Sequence, residues 1–149
     1  KAAGLDGIEL EAYGHLLDQF WSPLTNQRDD EYGGSLENRM RLSTRVLQAI
    51  RDRVGKEFLV GIRYTSDEQM PGGISEAEGL EITKALQASG LVDFLNVIRG
   101  TVHSDPQMSD VIPLHGTPTA PHLDFAGKVK AMTGILSRAG SERIARMAS

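Results

Sequence analysis

Runs typical of buried β-strands alternate with capped helices along this chain, and that alternation restricts the possible folds more than any other feature. Residues 58–64 read FLVGIRY, a continuous apolar run with one basic residue near its end, which is typical of a strand buried on both faces. Ser75 and Glu78 have capping-box spacing and predict a helix that ends at Gly90. Another strand-like run follows at 92–98. Strand, helix and strand in this order predict a parallel sheet with right-handed crossovers.

The rest of the chain continues the same alternation. Ser35 is a suitable N-cap for a helix that Gly55 ends. The other predicted elements are, in chain order, a strand at 6–10, a long irregular connection at 16–31, a loop at 99–121, a helix at 123–132 and a strand stub at 135–136. The length and composition are those of one globular domain, so residues 1–149 are assigned to a single domain.

The missing phosphate-binding motifs decide between two α/β folds. Neither the dinucleotide pattern GxGxxG nor the phosphate-loop pattern GxxxxGK[ST] occurs. The alternation therefore favours a (β/α)8 (TIM) barrel over a Rossmann-like sheet, with polar groups collected in the loops after the strands. A complete barrel takes roughly 250 residues. The chain has 149, so we predict a partial (β/α)8 barrel.

Charge and composition exclude several classes of partner. The formal net charge is −4 and the basic residues are scattered, which argues against nucleic-acid binding. The chain has no cysteine, so this segment supplies no thiolate, disulfide or iron–sulfur ligand. His115 and His122 lack metal-ligand spacing and a third partner, so no metal site is predicted. No apolar stretch approaches the ~20 residues that span a bilayer. We expect a cytoplasmic protein with a small-molecule partner and no contact with membranes.

Polar side chains follow each predicted strand, and in a barrel these strand ends converge on one face. They are Glu11, Tyr13 and His15 after the first strand, Arg63 after the second, and Arg99 with Thr101 after the third. Arg63 is the most informative because its guanidinium is a permanent cation with several donors. From composition alone, pairing of Arg63 with a nearby carboxylate such as Asp67 is an equally good interpretation.

Two segments resemble a known family. Residues 17–26, LDQFWSPLTN, and residues 30–39, DEYGGSLENR, closely resemble the segment after the fourth barrel strand in the NADH:flavin oxidoreductase (old yellow enzyme) family. The resemblance covers about residues 1–133 and implies strands four to seven of one FMN-binding barrel domain. Gly33, Gly34 and Ser35 suit a tight turn and a helix cap, so much of the second segment is interpreted as structural.

The resemblance also implies roles for individual residues. Arg63 falls where the family places a flavin-contacting arginine on its fifth strand. Residues 9–15 and 95–100 are similar to the branch that contains trimethylamine dehydrogenase and N-methylproline-type demethylases. Ordinary members carry a His-x-x-His or His-x-x-Asn pair that binds a carbonyl, and Glu11 and Tyr13 are assigned to that place here. The predicted catalytic residues are therefore Glu11, Tyr13 and His15, and the cofactor-binding residue is Arg63.

Three interpretations of function remain open. The first is an FMN-dependent amine dehydrogenase or N-demethylase, and the second is an enoate or 2,4-dienoyl-CoA reductase that uses NAD(P)H. The third is an inactive, truncated remnant, because residues 137–143 read SRAGSER where the family has an apolar strand. The expected partners are an amine or enone and NAD(P)H or another electron carrier. A 4Fe-4S cluster is compatible with the intact protein outside this segment, and the segment alone is expected to be inactive. Pairing of Glu11 with a neighbouring arginine is the structural alternative to a substrate role.

Overall fold

The chain forms one parallel sheet whose strands follow the order of the sequence. The computed structural model describes residues 3–102, 104, 108–109, 111–112, 115–116 and 120–139. The strands are β1 (Gly7–Ala12), β2 (Leu59–Asp67), β3 (Phe94–Arg99) and β4 (Leu136–Ala139), and the sheet order is β1-β2-β3-β4. All three strand pairs are parallel. This is the topology of successive strands in a β/α barrel.

Helices cover one face of the sheet. They are α1 (Leu16–Trp21), α2 (Leu36–Val54), α3 (Glu76–Ser89) and α4 (Leu123–Thr133). Alternate β2 residues turn to this side, because successive side chains of a strand point to opposite faces. They are completely buried, as are the helix residues that pack on them: Val60, Ile62, Tyr64, Trp21, Ile82 and Val129.

The opposite face of the sheet carries polar side chains. Strand register aligns Glu11 with Arg63 and Arg63 with Asn96, one row across three strands. The next row down is Glu9, Gly61 and Phe94. A Cβ on Gly61 would lie 2.1 Å from Cζ of Phe94, so the phenyl ring occupies the space above that glycine. Gly61 is therefore required by packing in this row.

Local capping signals predicted the two long helices correctly. Oγ of Ser35 accepts a hydrogen bond from the Asn38 N–H and begins α2. Oγ of Ser75 accepts one from the Glu78 N–H and begins α3. Only half of the predicted capping box forms there, because the Glu78 carboxylate pairs with Arg39 instead.

The predicted irregular connection at 16–31 is wrong in its first part, which forms α1. The Asp18 carboxylate accepts hydrogen bonds from the backbone N–H groups of Gly14 and His15, at 2.7 and 2.8 Å, and so caps the helix from inside its first turn. Leu17 and Trp21 are buried under it. The strand stub predicted at 135–136 is a strand that reaches Ala139, and the unusual residues 140–143 lie outside the described residues.

The DEYGGSLENR segment is structural, as interpreted from the sequence. Arg39 is 5% exposed and donates to the carbonyls of Trp21 and Gly34 and to the Glu78 carboxylate. A Cβ on Gly33 would lie 1.9 Å from the carbonyl oxygen of Arg28. The segment therefore joins α1, α2 and α3 on the outer side of the sheet, away from the polar face.

Candidate active site

Glu11, next to the last residue of β1, meets Arg63, which lies in the middle of β2 because that strand runs on to Asp67 and does not end at Tyr64 as the sequence predicted. They are register partners, and Oε1 of Glu11 lies 3.7 Å from Nη1 of Arg63. This distance is an ion pair but is too long for a hydrogen bond. The Glu11 side chain is 42% exposed and that of Arg63 28%. Both groups therefore remain accessible from the polar face of the sheet.

The alternative pairing of Arg63 with Asp67 does not form. A register shift between Thr65 and Asp67 displaces the end of β2, and Asp67 instead accepts a hydrogen bond from Nη2 of Arg99 at 2.8 Å. Arg63 pairs with Glu11 instead. Pairing of Glu11 with a neighbouring arginine is the structural alternative to a substrate role that the sequence left open, and that ion pair is present.

Tyr13 lies close to this pair. Its side chain is partly buried, and burial raises the pKa of the phenol above its ordinary value. The Arg63 charge acts in the opposite direction on that pKa, while Glu11 and Asp18 raise it further. The neutral hydroxyl is therefore the form of Tyr13 near neutral pH. Of the four predicted site residues, Glu11 and Arg63 form an ion pair, and Tyr13 is near enough for both of their charges to act on its pKa.

His15 is placed differently from the other three. It is exposed and is the N-cap residue of α1, and its backbone N–H is held by Asp18. Among the described residues, no ion pair or hydrogen bond joins it to Glu11, Tyr13 or Arg63. Its assignment as a catalytic residue stays a prediction.

The polar face holds a second pair that the sequence did not indicate. Nδ2 of Asn96 donates to both carboxylate oxygens of Glu9, at 3.1 and 3.3 Å. Oδ1 of Asn96 and Nε of Arg63 are buried and have no hydrogen-bond partner among the described residues. Glu9 lies two residues before Glu11 and so shares its face, which was visible in the sequence. Its pairing with Asn96 joins residues 87 apart and needed the strand register.

The unpartnered Nε of Arg63 tests whether this site suits a flavin. A buried donor without an acceptor is costly, and most such groups in proteins are satisfied. The flavin pyrimidine ring presents acceptors at N1 and O2, and its reduced form is negative there. The Arg63 guanidinium is 28% exposed on the polar face and has donors at Nη1 and Nη2 besides Nε, so it fits FMN whichever group satisfies Nε.

Arg99 and Thr101, the weaker sequence candidates, lie beside this site. Arg99, the last residue of β3, lies near two carboxylates, Asp67 at 2.8 Å and Glu76 at 3.9 Å. Thr101 is buried near the sulfur of Met70. A substrate or cofactor role for either residue stays a prediction.

His122 joins the end of β3 to the loop that follows. Its Nδ1 accepts a hydrogen bond from the Arg99 backbone N–H at 3.1 Å, and its Nε2 lies 3.2 Å from the Val111 carbonyl. An acceptor at Nδ1 requires the neutral ring, with the proton on Nε2. Burial lowers the pKa of His122, the hydrogen bond to the Val111 carbonyl acts in the opposite direction, and the charges of Arg99 and Arg63 lower the pKa further; the net lowering agrees with the neutral form.

Two structural features are absent from the described residues. No cluster of three or more histidine, cysteine, aspartate or glutamate side chains is arranged to hold a metal ion in the described part of the chain. Nor is any described helix both long and apolar enough to cross a membrane.

A polar site toward the carboxyl ends of the strands of a barrel-type parallel sheet is typical of β/α-barrel enzymes, and comparison with known proteins gives the family. The family described as "NADH:flavin oxidoreductase / NADH oxidase family" matches residues 1–105. The chain belongs to this family of flavin-dependent oxidoreductases.

Two of the similar relatives are named for N-methylated amino acids. The chain is 62% identical over 133 residues to the "Probable N-methylproline demethylase" of Rhizobium meliloti, covering 89% of this chain and 20% of that protein. It is 43% identical over 136 residues to the N,N-dimethylglycine/sarcosine dehydrogenase of Chromohalobacter salexigens, covering 91% and 20%. The chain thus spans about a fifth of the length of these relatives.

Solved structures give the same fold. The 2-naphthoyl-CoA reductase complex superposes with a TM-score of 0.77 at 28% identity, covering 93% of this chain and 20% of that one. Histamine dehydrogenase from Rhizobium sp. 4-9 superposes with a TM-score of 0.72 at 26% identity, covering 93% and 19%. These neighbours are TIM-barrel oxidoreductases, so the sheet is part of a barrel, as predicted.

The spacing of Glu11 and Tyr13 qualifies one assignment. The histidine pair of ordinary family members is three positions apart, whereas Glu11 and Tyr13 are two apart. At most one of them can therefore occupy a position of that pair. Leu10, three positions before Tyr13, packs against the helix-side core and not on the polar face.

Proposed function

We propose that this chain supplies strands four to seven of an FMN-binding barrel that oxidises an N-methylated or secondary amine. The observation that carries the proposal is the Glu11 carboxylate, which lies 3.7 Å from Arg63 on the polar face of β1 and β2, with Tyr13 near enough for both charges to act on its pKa. Residues 1–149 then belong to one FMN-binding domain, with Arg63 as the cofactor residue and Glu11, Tyr13 and His15 as substrate residues.

Arg63 would hold the pyrimidine edge of FMN. Its charge is permanent, and its side chain is 28% exposed on the polar face of the sheet, where the Nη groups can reach a bound ring. When bound, FMN supplies the redox chemistry by accepting a hydride from the substrate carbon. The guanidinium would favour negative charge near N1 and O2, and the protein's part is to place and polarise that edge.

The sign of the charge at Glu11 separates the two substrate classes. An enone reductase needs donors that stabilise the negative oxygen formed as hydride arrives. An ionised Glu11 offers only acceptors and would repel that oxygen. A substrate ammonium is attracted instead, and the Tyr13 ring can add a cation–π contact of roughly 0.5–2 kcal/mol.

The ion pair with Arg63 is compatible with this role. At 3.7 Å neither Glu11 oxygen is hydrogen-bonded to the guanidinium. A carboxylate has about four lone-pair sites. Glu11 therefore keeps acceptor capacity for a substrate N–H while its charge is partly balanced by Arg63.

Relatives support both the proposal and a second candidate. The demethylase and dehydrogenase relatives are named for N-methylated amino acids. This chain is also 42% identical over 131 residues to the "Multifunctional alkene reductase/demethylase OYE" of Caballeronia cordobensis, covering 87% of this chain and 19% of that protein. An enoate or 2,4-dienoyl-CoA reductase that uses NAD(P)H is therefore the second candidate. The electron carrier, a 4Fe-4S cluster elsewhere in the protein, the cytoplasmic location and the inactivity of this segment alone stay predictions.

The experiment measures turnover of N-methylproline and of cyclohexenone with NADH by the complete protein that carries this chain. We expect amine oxidation to exceed enone reduction. Glu11→Gln should lower kcat/KM for the amine by roughly ten- to a hundredfold, since hydrogen bonds to charged groups contribute about 1.5–3 kcal/mol. The matched control is Glu57→Gln. Glu57 is an exposed carboxylate two residues before the start of β2, at the end opposite to the site. A preference for the enone, or amine turnover indifferent to Glu11→Gln, would refute the proposal.

A further inference from the structure

The Glu9–Asn96 pair fixes the direction in which the Asn96 amide points. An ionised carboxylate only accepts hydrogen bonds, so the amide nitrogen must be the atom that faces Glu9. Both carboxylate oxygens of Glu9 accept a hydrogen bond from Nδ2 of Asn96, at 3.3 and 3.1 Å. The carbonyl oxygen Oδ1 therefore points away from Glu9, and it is buried with no partner among the described residues.

The neighbouring strand presents the complementary unpaired group. Asn96 and Arg63 are register partners on β3 and β2, and the polar-face row that they share also contains Glu11. Neighbouring strands are about 4.7–4.9 Å apart. Nε of Arg63 is a buried donor without an acceptor, and Oδ1 of Asn96 is a buried acceptor without a donor. The donor and the acceptor are therefore chemically complementary groups on register partners of neighbouring strands.

We propose that Asn96, held by Glu9, is a positioning residue for Arg63 and accepts its Nε–H when the cofactor is bound. Glu11 lies at the Nη1 end of the same guanidinium. A guanidinium held at Nε by Asn96 and flanked at Nη1 by Glu11 has its plane fixed, which leaves Nη2 to face the barrel mouth. The proposal rests on the assignment of Arg63 to the flavin, and it adds the device that orients that side chain.

A double-mutant cycle on the complete protein tests the coupling, with the FMN dissociation constant and the flavin absorption spectrum as readouts. Lysine keeps the positive charge but has no Nε–H. Asn96→Leu should therefore weaken FMN binding about tenfold when Arg63 is present, as expected for loss of one hydrogen bond to a charged group. In the Arg63→Lys background it should weaken binding less than about twofold and leave the spectrum unchanged. Equal losses in the two backgrounds would overturn the proposal.

Variants of Glu9 test the same device without changing either coupled residue. Glu9→Gln keeps an oxygen that can accept from the Asn96 amide, so FMN affinity should stay within about twofold of the wild type. Glu9→Leu frees the amide and should weaken FMN binding several-fold, in the direction of Asn96→Leu. Identical behaviour of the two Glu9 variants would also contradict the proposal. If Arg63→Ala itself kept FMN, the cofactor assignment would fail; if it lost FMN while Asn96→Leu and Arg63→Lys were additive, only the positioning role would fail.

Discussion

Glu11 and Arg63 are register partners on neighbouring parallel strands, and their charged groups lie 3.7 Å apart on the polar face of the sheet. This relationship links the two halves of the proposed chemistry. Arg63 is the residue suited to the flavin, and Glu11 is the residue suited to a cationic substrate. Because the two residues form one ion pair, a charged substrate bound at Glu11 would also change the electrostatic environment of Arg63 and of the flavin beside it.

Arg39 should be a main source of stability outside the polar face. Its buried guanidinium joins the Trp21 carbonyl at the end of α1 to the Glu78 carboxylate of α3. Arg39→Leu should lower the free energy of unfolding by about 3–5 kcal/mol, because it leaves buried polar groups without partners. Urea unfolding of the complete protein measures this. Arg45→Leu, on the same helix with an exposed ion pair, should change it by less than about 1 kcal/mol. Equal effects of the two variants would contradict the structural role of Arg39.

Gly61 should tolerate no side chain while Phe94 is present. The added methyl of Gly61→Ala would lie 2.1 Å from Cζ of Phe94. Overpacking of this kind costs about 1–3 kcal/mol, and Phe94→Leu in the same chain should recover part of the loss. Gly127→Ala is the control, because a Cβ there meets nothing within 4 Å and alanine favours the helix. A stabilising Gly61→Ala would show that the Phe94 ring does not occupy this space.

His122 should make stability depend on pH. Its folded pKa lies below the ordinary value of 6.5, so between those two values the unfolded chain binds more protons. The contribution of the neutral ring is therefore complete above about pH 6.5 and is lost as the pH falls toward the folded pKa. His122→Asn can still accept from the Arg99 N–H but cannot titrate. We expect the stability advantage of the wild type over this variant to shrink between pH 7.5 and 5.5 in urea unfolding; an advantage that grew would contradict the neutral ring.

The elements that the sequence predicted are those whose signals are local. Ser35 and Ser75 cap their helices by accepting hydrogen bonds from backbone N–H groups three residues later. Both partners of each contact lie within one short stretch of sequence, so the helix start can be read from that stretch alone. Helix α1 was missed because its cap is the side chain of Asp18, which reaches back to the preceding backbone. The Glu9–Asn96 pair was missed because it depends on how β1, β2 and β3 align. Arg63 was found through its place near the end of an apolar run, although the strand itself continues to Asp67. Its pairing with Glu11 required the strand register.

The 149-residue chain on its own should not retain FMN and should aggregate. Among the described residues β1 and β4 each pair on one side only, so their other edges are open to association with further strands. In this barrel type the phosphate usually binds loops after strands seven and eight. Size-exclusion chromatography and the absorbance of bound flavin measure both properties. A yellow, monomeric chain with a cooperative melting transition would contradict this prediction.

The most direct measurement is the FMN dissociation constant of the complete protein with and without the Arg63 side chain. Arg63→Ala should weaken FMN binding by roughly ten- to a hundredfold, the contribution expected of charged hydrogen bonds, and should slow flavin reduction by the amine. Arg53→Ala, an exposed arginine at the far end of α2, should leave both unchanged. An Arg63→Ala protein that retained FMN with wild-type affinity and was reduced at the wild-type rate would show that Arg63 does not face the cofactor.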